Sequence, residues 1–179
     1  GSELYFNQFT TDSWTQFWHT DGTSEGTQMI IQAKAESLTE LNGALFFVAR
    51  NQLWQTDGTA AETIAVSSLG TPVFGPHIAK FGGSLFLSNF NIIDSGGIWS
   101  FDGTTEGSKV LETLTTELKL YSPQEFASID DTLFMSIFSP ATGVEFYKKK
   151  GAVETTSLVK DILPGNAGSR PRNLTNLQW

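Results

Sequence analysis

Residues 53–59 read LWQTDGT. Related stretches stand at 17–23, FWHTDGT, and at 98–104, IWSFDGT. An aromatic residue, two variable positions and Asp-Gly-Thr therefore recur three times in a chain of 179 residues. The triplet has the chemistry of a tight turn: Asp accepts from backbone amides ahead of it, Gly takes positive φ, and Thr re-enters a strand. Read as a binding site, each copy supplies one carboxylate at Asp21, Asp57 or Asp102, whereas calcium takes roughly six to eight oxygens from several groups. The turn is the better reading, and it makes each copy the end of one strand and the start of another.

Working outward from the triplet, two further elements repeat. One is an apolar stretch, a tight turn and a Leu-aromatic strand: SLTELNGALFFV at 37–48, HIAKFGGSLFLS at 77–88 and EFASIDDTLFMS at 125–136. Asn42-Gly43 and Gly82-Gly83 are strong hairpin signals, because type I′ turns need positive φ at both central positions. The other is a short β-branched strand after each triplet, such as Thr63-Ile64-Ala65-Val66. One unit is thus four short strands, which we call a, b, c and d in order. A four-stranded antiparallel unit recurring about every 40–50 residues is the signature of a β-propeller blade. The fourth unit is degenerate: Phe146-Tyr147 stands in the place of Leu53-Trp54, and Lys150-Gly151-Ala152 replaces Asp-Gly-Thr.

The chain opens with Glu3-Leu4-Tyr5-Phe6, which matches strand b, and closes with Asn173-Leu174-Thr175-Asn176-Leu177, which matches strand a. The strand-b leucines Leu4, Leu45, Leu85 and Leu133 are 41, 40 and 48 residues apart, with 50 from Leu133 through the C-terminus back to Leu4. The expectation is all-β: a single domain over 1–179, a four-bladed β-propeller of four-stranded antiparallel blades. Its blades run over about 1–34 plus 168–179, 35–70, 71–118 and 119–167, and it is closed by pairing of the N- and C-terminal strands. A fragment of a larger ring or array is the alternative.

These residues resemble a bacterial repeat family written ELWxxDGTxxGT, also called hyalin-like, whose units continue VxDIxPGxxGSxPxxLTxxNGxLFFxA. The stretches that carry the resemblance are FWHTDGTSEGT at 17–27, IWSFDGTTEGS at 98–108 and LVKDILPGNAGSRPRNLTNL at 158–177. Glu62 departs from the pattern, where Gly is usual. The resemblance implies an extracellular or cell-surface bacterial β-propeller, often one part of a larger multidomain protein. It implies no particular activity.

The net charge is −8, from 19 acidic and 11 basic residues. That balance is repelled by a nucleic-acid backbone, so nucleic-acid binding is not expected. No apolar run approaches the roughly 18 residues of a membrane-spanning helix, so membrane insertion is not expected. There is no cysteine, which excludes disulfides, thiolate metal sites and a cysteine nucleophile. No cofactor is expected, although the acidic balance leaves room for calcium or another ion in the channel.

Trp18, Trp54, Trp99 and Tyr147 share one position in strand c and read as aromatics packed between blades. Trp14 and Trp179 lie outside that register and are better placed for ligand contact. Strand a lines the channel of a propeller, and aligning the a–b turns puts Glu36, Pro76, Gln124 and Arg172 in one ring and Ser37, His77, Glu125 and Asn173 in the next. Residues that vary on a repeating frame are where a specific site is expected. The candidate site is therefore Glu36, His77, Gln124, Glu125, Arg170 and Arg172 at the channel mouth. His19 and His77 fall in different blades, and no nucleophile elbow, zinc motif or phosphate loop is present. The expected function is a non-catalytic extracellular binding or scaffolding module that recognises a glycan or a surface protein. A structural spacer domain and a glycoside-processing enzyme are the alternatives, the latter because Glu36 and Glu125 could flank one bond.

Overall fold

The structure, a computed structural model, describes residues 3–9, 15–68, 77–89, 97–104, 109–113, 121–151 and 154–176. Pro76, Trp14, Leu177 and Trp179 lie outside these residues. The chain divides into two compact units, Gly1–Gly70 and Thr71–Trp179. Among the described residues there are fifteen strands and no helix.

The first unit holds two sheets. β1 (Leu4–Phe9), β2 (Thr15–Thr20) and β3 (Gln28–Ile31) form one of three strands. β4 (Glu36–Leu41), β5 (Ala44–Ala49), β6 (Gln52–Thr56) and β7 (Ile64–Ser68) form one of four. The second unit holds two four-stranded sheets: β8 (His77–Phe81) to β11 (Lys109–Thr113), with β9 (Ser84–Asn89) and β10 (Gly97–Phe101) between them, and β12 (Tyr121–Ile129) to β15 (Ser157–Lys160), with β13 (Thr132–Ser139) and β14 (Gly143–Lys150) between them. Every pairing is antiparallel and sequential, as expected of blades.

Strand register shows why the aromatics repeat. Trp18, Trp54, Trp99 and Tyr147 stand opposite Phe6, Phe47, Leu87 and Met135, each two residues beyond the repeated leucine. In all four sheets the c–d ladder shifts immediately before this aromatic, at Phe17/Trp18, Leu53/Trp54, Ile98/Trp99 and Phe146/Tyr147. A bulge adds local twist, so each unit twists at the same place.

The cores lie between sheets. In the first unit Phe17, Ile30, Ala35, Phe47 and Ala49 are buried together, with Tyr5, Leu45 and Trp54 against them. In the second, Phe81, Phe86, Ile98, Leu133, Met135, Ile137 and Tyr147 form the cluster. The two clusters use equivalent positions. Phe17 corresponds to Ile98, Phe47 to Met135, Ala49 to Ile137 and Trp54 to Tyr147.

The three Asp-Gly-Thr turns are the same object. Asp21, Asp57 and Asp102 each accept from the backbone amide of the Thr two residues on at 2.9 Å and from its hydroxyl at 2.8 Å. The intervening glycines have φ of 94°, 102° and 94°. The bonds to Thr23 and Thr59, backbone first, hold the Asp21 and Asp57 carboxyls below the usual carboxylate range. The carboxylates are therefore committed to their own turns. The expected hairpin glycines also behave as read: Asn42-Gly43 and Gly82-Gly83 have positive φ at both positions. Arg50-Asn51 forms a further turn of this kind, which no glycine announces.

The end of the chain differs from expectation. Among the described residues, 169–176 carry no strand, the first sheet has three strands, and no sheet pairs the two chain ends. Pro171 has no amide to donate, and Arg170 and Asn173 have φ of 51° and 56°, which interrupts an extended backbone. The segment's bonds go elsewhere, from Leu174 N to Glu125 Oε2 at 3.2 Å and from Asn176 Nδ2 to Ser128 O at 2.8 Å. Ser37, in the matching residue of the second unit of the repeat, has φ of 54°, so the two segments share a backbone kink as well as a sequence.

The segment before it is clamped by one buried carboxylate. Glu145 is fully buried. It accepts from Ile162 N and Leu163 N at 3.2 Å, from Ser169 N at 2.8 Å and from Ser169 Oγ at 2.6 Å. Burial pushes its carboxyl up, but these four bonds outweigh it and the net displacement is downward. Gly143 and Gly168 let the two backbones touch: a Cβ on Gly168 would sit 2.3 Å from Val144 N. The Gly-Ser of the DIxPGxxGS pattern is thus a crossing point and a bond to Glu145.

Candidate functional site

Three of the expected residues occupy one position of the repeat, though not the grouping read from the turns. Glu36 pairs with Val48, His77 with Ser88 and Glu125 with Ser136. Val48, Ser88 and Ser136 each lie three residues beyond a repeated leucine. Glu36 therefore belongs with His77 and Glu125, not with Pro76, Gln124 and Arg172. The cause is a register shift between Glu36 and Thr39 that places Ser37 and Leu38 against one residue of β5. Counting back from a turn cannot register such an inserted residue.

Within the second unit His77 and Glu125 stand on strands that pack together. β12 packs on both β8 and β9. His77 is partly buried at the start of β8, and its backbone amide donates to Ser88 Oγ at 3.3 Å. Burial pushes the His77 imidazole below its ordinary value, and the Glu125 carboxylate opposes that shift. Glu125 is also partly buried and receives the Leu174 amide. The ladder partners of the two residues are both serines. Ser88 is 2% exposed and Ser136 1% exposed, and Ser136 Oγ is buried without a hydrogen-bond partner.

This arrangement has definite chemistry. An imidazole with a lowered pKa is neutral at pH 7 and can accept a proton. A carboxylate beside it stabilises the imidazolium that forms. Ser136 is too enclosed to attack a substrate.

Glu36, in the first unit, is ion-paired with Lys34 at 2.5 Å. Gln124 lies in β12 beside Glu125, and its side chain falls outside the described part of the structure. Arg170 and Arg172 are exposed; Arg170 donates its backbone amide to Val144 O at 2.9 Å. Among the described residues no group of three or more His, Asp or Glu could hold a metal ion. Sequence reasoning passed over the buried hydroxyls Ser88 and Ser136, whose signal is a serine replacing an apolar residue at a fixed step from a repeated leucine.

No family model matches the chain, and no curated protein matches it. Solved structures do. A mutant of puromycin hydrolase in complex with PGG is 11% identical, with a TM-score of 0.59 over 97% of this chain and 28% of that one. Puromycin hydrolase itself is 10% identical, with a TM-score of 0.58 over 98% of this chain and 28% of that one. A bifunctional GH43-CE protein from Bacteroides eggerthii, 14% identical over 96% of this chain and 27% of that one, has a TM-score of 0.47, too loose to bear on this chain. The likeness to puromycin hydrolase supports a β-propeller-like all-β fold, and this chain spans little more than a quarter of that protein's length. It also corrects the functional expectation. The two solved structures named above with a TM-score over 0.5 are both of puromycin hydrolase, an enzyme by name, and that finding stands against the expected non-catalytic binding or scaffolding module.

Proposed function

We propose that this chain is part of a hydrolytic enzyme, with its four sheets as propeller blades, and that His77 and Glu125 form its proton-transfer pair. The observation that carries the reading is the partly buried imidazole of His77 within electrostatic reach of Glu125. The likeness to puromycin hydrolase supports it. In the proposed step a water molecule attacks the scissile centre and gives its proton to neutral His77. Glu125 stabilises the imidazolium, which then returns the proton to the leaving group.

The purified protein is assayed against a panel of aminoacyl p-nitroanilides and p-nitrophenyl glycosides. Turnover is expected on at least one class, with kcat falling about 100-fold or more in His77→Gln, the range for loss of a general acid–base group. Absence of turnover across the panel, or turnover unchanged in His77→Gln, contradicts the reading. The class that turns over separates amide from glycoside hydrolysis.

A further inference from the structure

The segment after the Glu145 clamp runs past the proposed proton-transfer pair, and all of these residues belong to the unit Thr71–Trp179. Its placement repeats that of β12. Ser128, three residues beyond Glu125, brings its Oγ within 3.5 Å of the carbonyl of Lys80, three residues beyond His77. Asn176, three residues beyond Asn173, donates from Nδ2 to the carbonyl of Ser128 at 2.8 Å. The segment thus follows β12 as β12 follows β8. Asn173 stands to Glu125 as Glu125 stands to His77, and the Leu174 amide on Glu125 Oε2 at 3.2 Å agrees with that register.

Arg172 is therefore pinned beside the pair from both directions. Before it, Ser169 bonds to Glu145 and the Arg170 amide donates to Val144 O at 2.9 Å. After it comes the bond from Leu174 to Glu125. Pro171 fixes its own φ, and Arg170 and Asn173 hold left-handed conformations on either side. A chain advances at most about 3.6 Å per residue, so the Arg172 Cα lies within about 10 Å of the Glu125 carboxylate. A substrate group lying against Glu125 is within reach of an arginine side chain placed there.

The charge of the segment is unlike that of the rest of the chain. Residues 162–176 carry two of the three arginines and no acidic residue, in a protein of net charge −8. Arg170 and Arg172 are exposed, and among the described residues neither guanidinium forms an ion pair. Glu125 repels an anion, so an anionic substrate needs a cation close by, and the segment supplies one.

We propose that Arg172 sets the specificity of the site and that the substrate carries a carboxylate, gripped by the guanidinium while the scissile bond lies at His77 and Glu125. The planar fork of arginine matches the two oxygens of a carboxylate, which the point charge of lysine does not. What is cleaved rests on the hydrolytic reading above; the preference for a carboxylate rests on the segment alone.

Two measurements test this. Calorimetric titration compares L-glutamate with L-glutamine and D-glucuronate with D-glucose. The acid of at least one pair is expected to bind about ten-fold tighter or more, the size of a charge-assisted hydrogen bond. Arg172→Gln is expected to abolish that preference and Arg172→Lys to keep part of it. The second measurement uses the matching p-nitroanilides and p-nitrophenyl glycosides. Arg172→Gln is expected to raise KM for the acidic substrate about ten-fold with kcat nearly unchanged, the mark of lost uniform binding. A merely structural role would instead change the neutral and acidic substrates alike. Equal binding within both pairs, or a preference that survives Arg172→Gln, overturns the proposal even if the enzyme turns over. Selective binding of the acid without turnover upholds the carboxylate site and overturns the hydrolytic reading instead.

Discussion

Glu145→Ala is expected to destabilise the unit Thr71–Trp179 by about 3–4 kcal/mol. The substitution removes the acceptor for Ile162 N, Leu163 N, Ser169 N and Ser169 Oγ at once. A buried donor left without a partner costs roughly 1–3 kcal/mol, and hydrogen bonds to a charged group are stronger than neutral ones. Four such losses do not add in full, because a loop freed from its clamp can turn some amides to water. Glu145→Gln keeps the shape and one acceptor oxygen, and about half the loss is expected. Since the folded carboxyl lies below its ordinary value, its contribution is present above the unfolded carboxylate pKa and is lost as pH falls through the folded one. Urea unfolding at pH 7 and pH 4 reads both effects: wild type loses more on acidification than Glu145→Gln. A loss under about 1 kcal/mol for Glu145→Ala would show that the carboxylate does not hold the loop.

Phe47→Ala is expected to cost the unit Gly1–Gly70 about 3–5 kcal/mol, the range for a large aromatic removed from a core. Phe47 is fully buried, lies 4.8 Å from the Phe17 ring and stacks at 6.4 Å on Trp54. Its removal opens a cavity between the two sheets and ends both aromatic contacts, each worth about 0.5–1.5 kcal/mol beyond area. Phe47→Leu keeps most of the volume and is expected to cost about 1–1.5 kcal/mol. Equal losses for the two variants would mean that the interface depends on ring geometry rather than filled volume. A loss below 2 kcal/mol for Phe47→Ala would place the core elsewhere.

These two residues mark how far the sequence was legible. Phe47 belongs to a repeating pattern, and local rules read it: period-two alternation, an Asn-Gly turn and a shared aromatic register all name the same strands. The Asp-Gly-Thr copies were legible as turns for the same reason, since their bonds span two residues. Glu145 is different. Its partners are 17 to 24 residues away, in a loop with no regular structure, and it stands in the degenerate copy where the repeat is weakest. The retained Gly168-Ser169 pair was the available signal.

The candidate site shows a second limit. His77 and Glu125 were placed on the first strand of their repeats by counting from turns, and they stand in β8 and β12. Glu36 was assigned to the wrong ring because an extra residue at Ser37 and Leu38 shifts everything before it. The terminal pairing failed for a related reason. Asn173-Leu174-Thr175-Asn176 has the composition of strand a, but Pro171 and two left-handed residues precede or begin it, and its bonds run to β12.

The His77–Glu125 pair is the centre of this account, and the most direct test is an NMR titration of the His77 imidazole in wild type and in Glu125→Gln. Burial lowers the imidazole and Glu125 raises it. Wild type is therefore expected to titrate below the ordinary histidine value, and Glu125→Gln lower still, because the charge favouring the imidazolium is gone. A His77 that titrates at or above its ordinary value, or that does not move when Glu125 is neutralised, would contradict the pairing on which the hydrolytic reading rests.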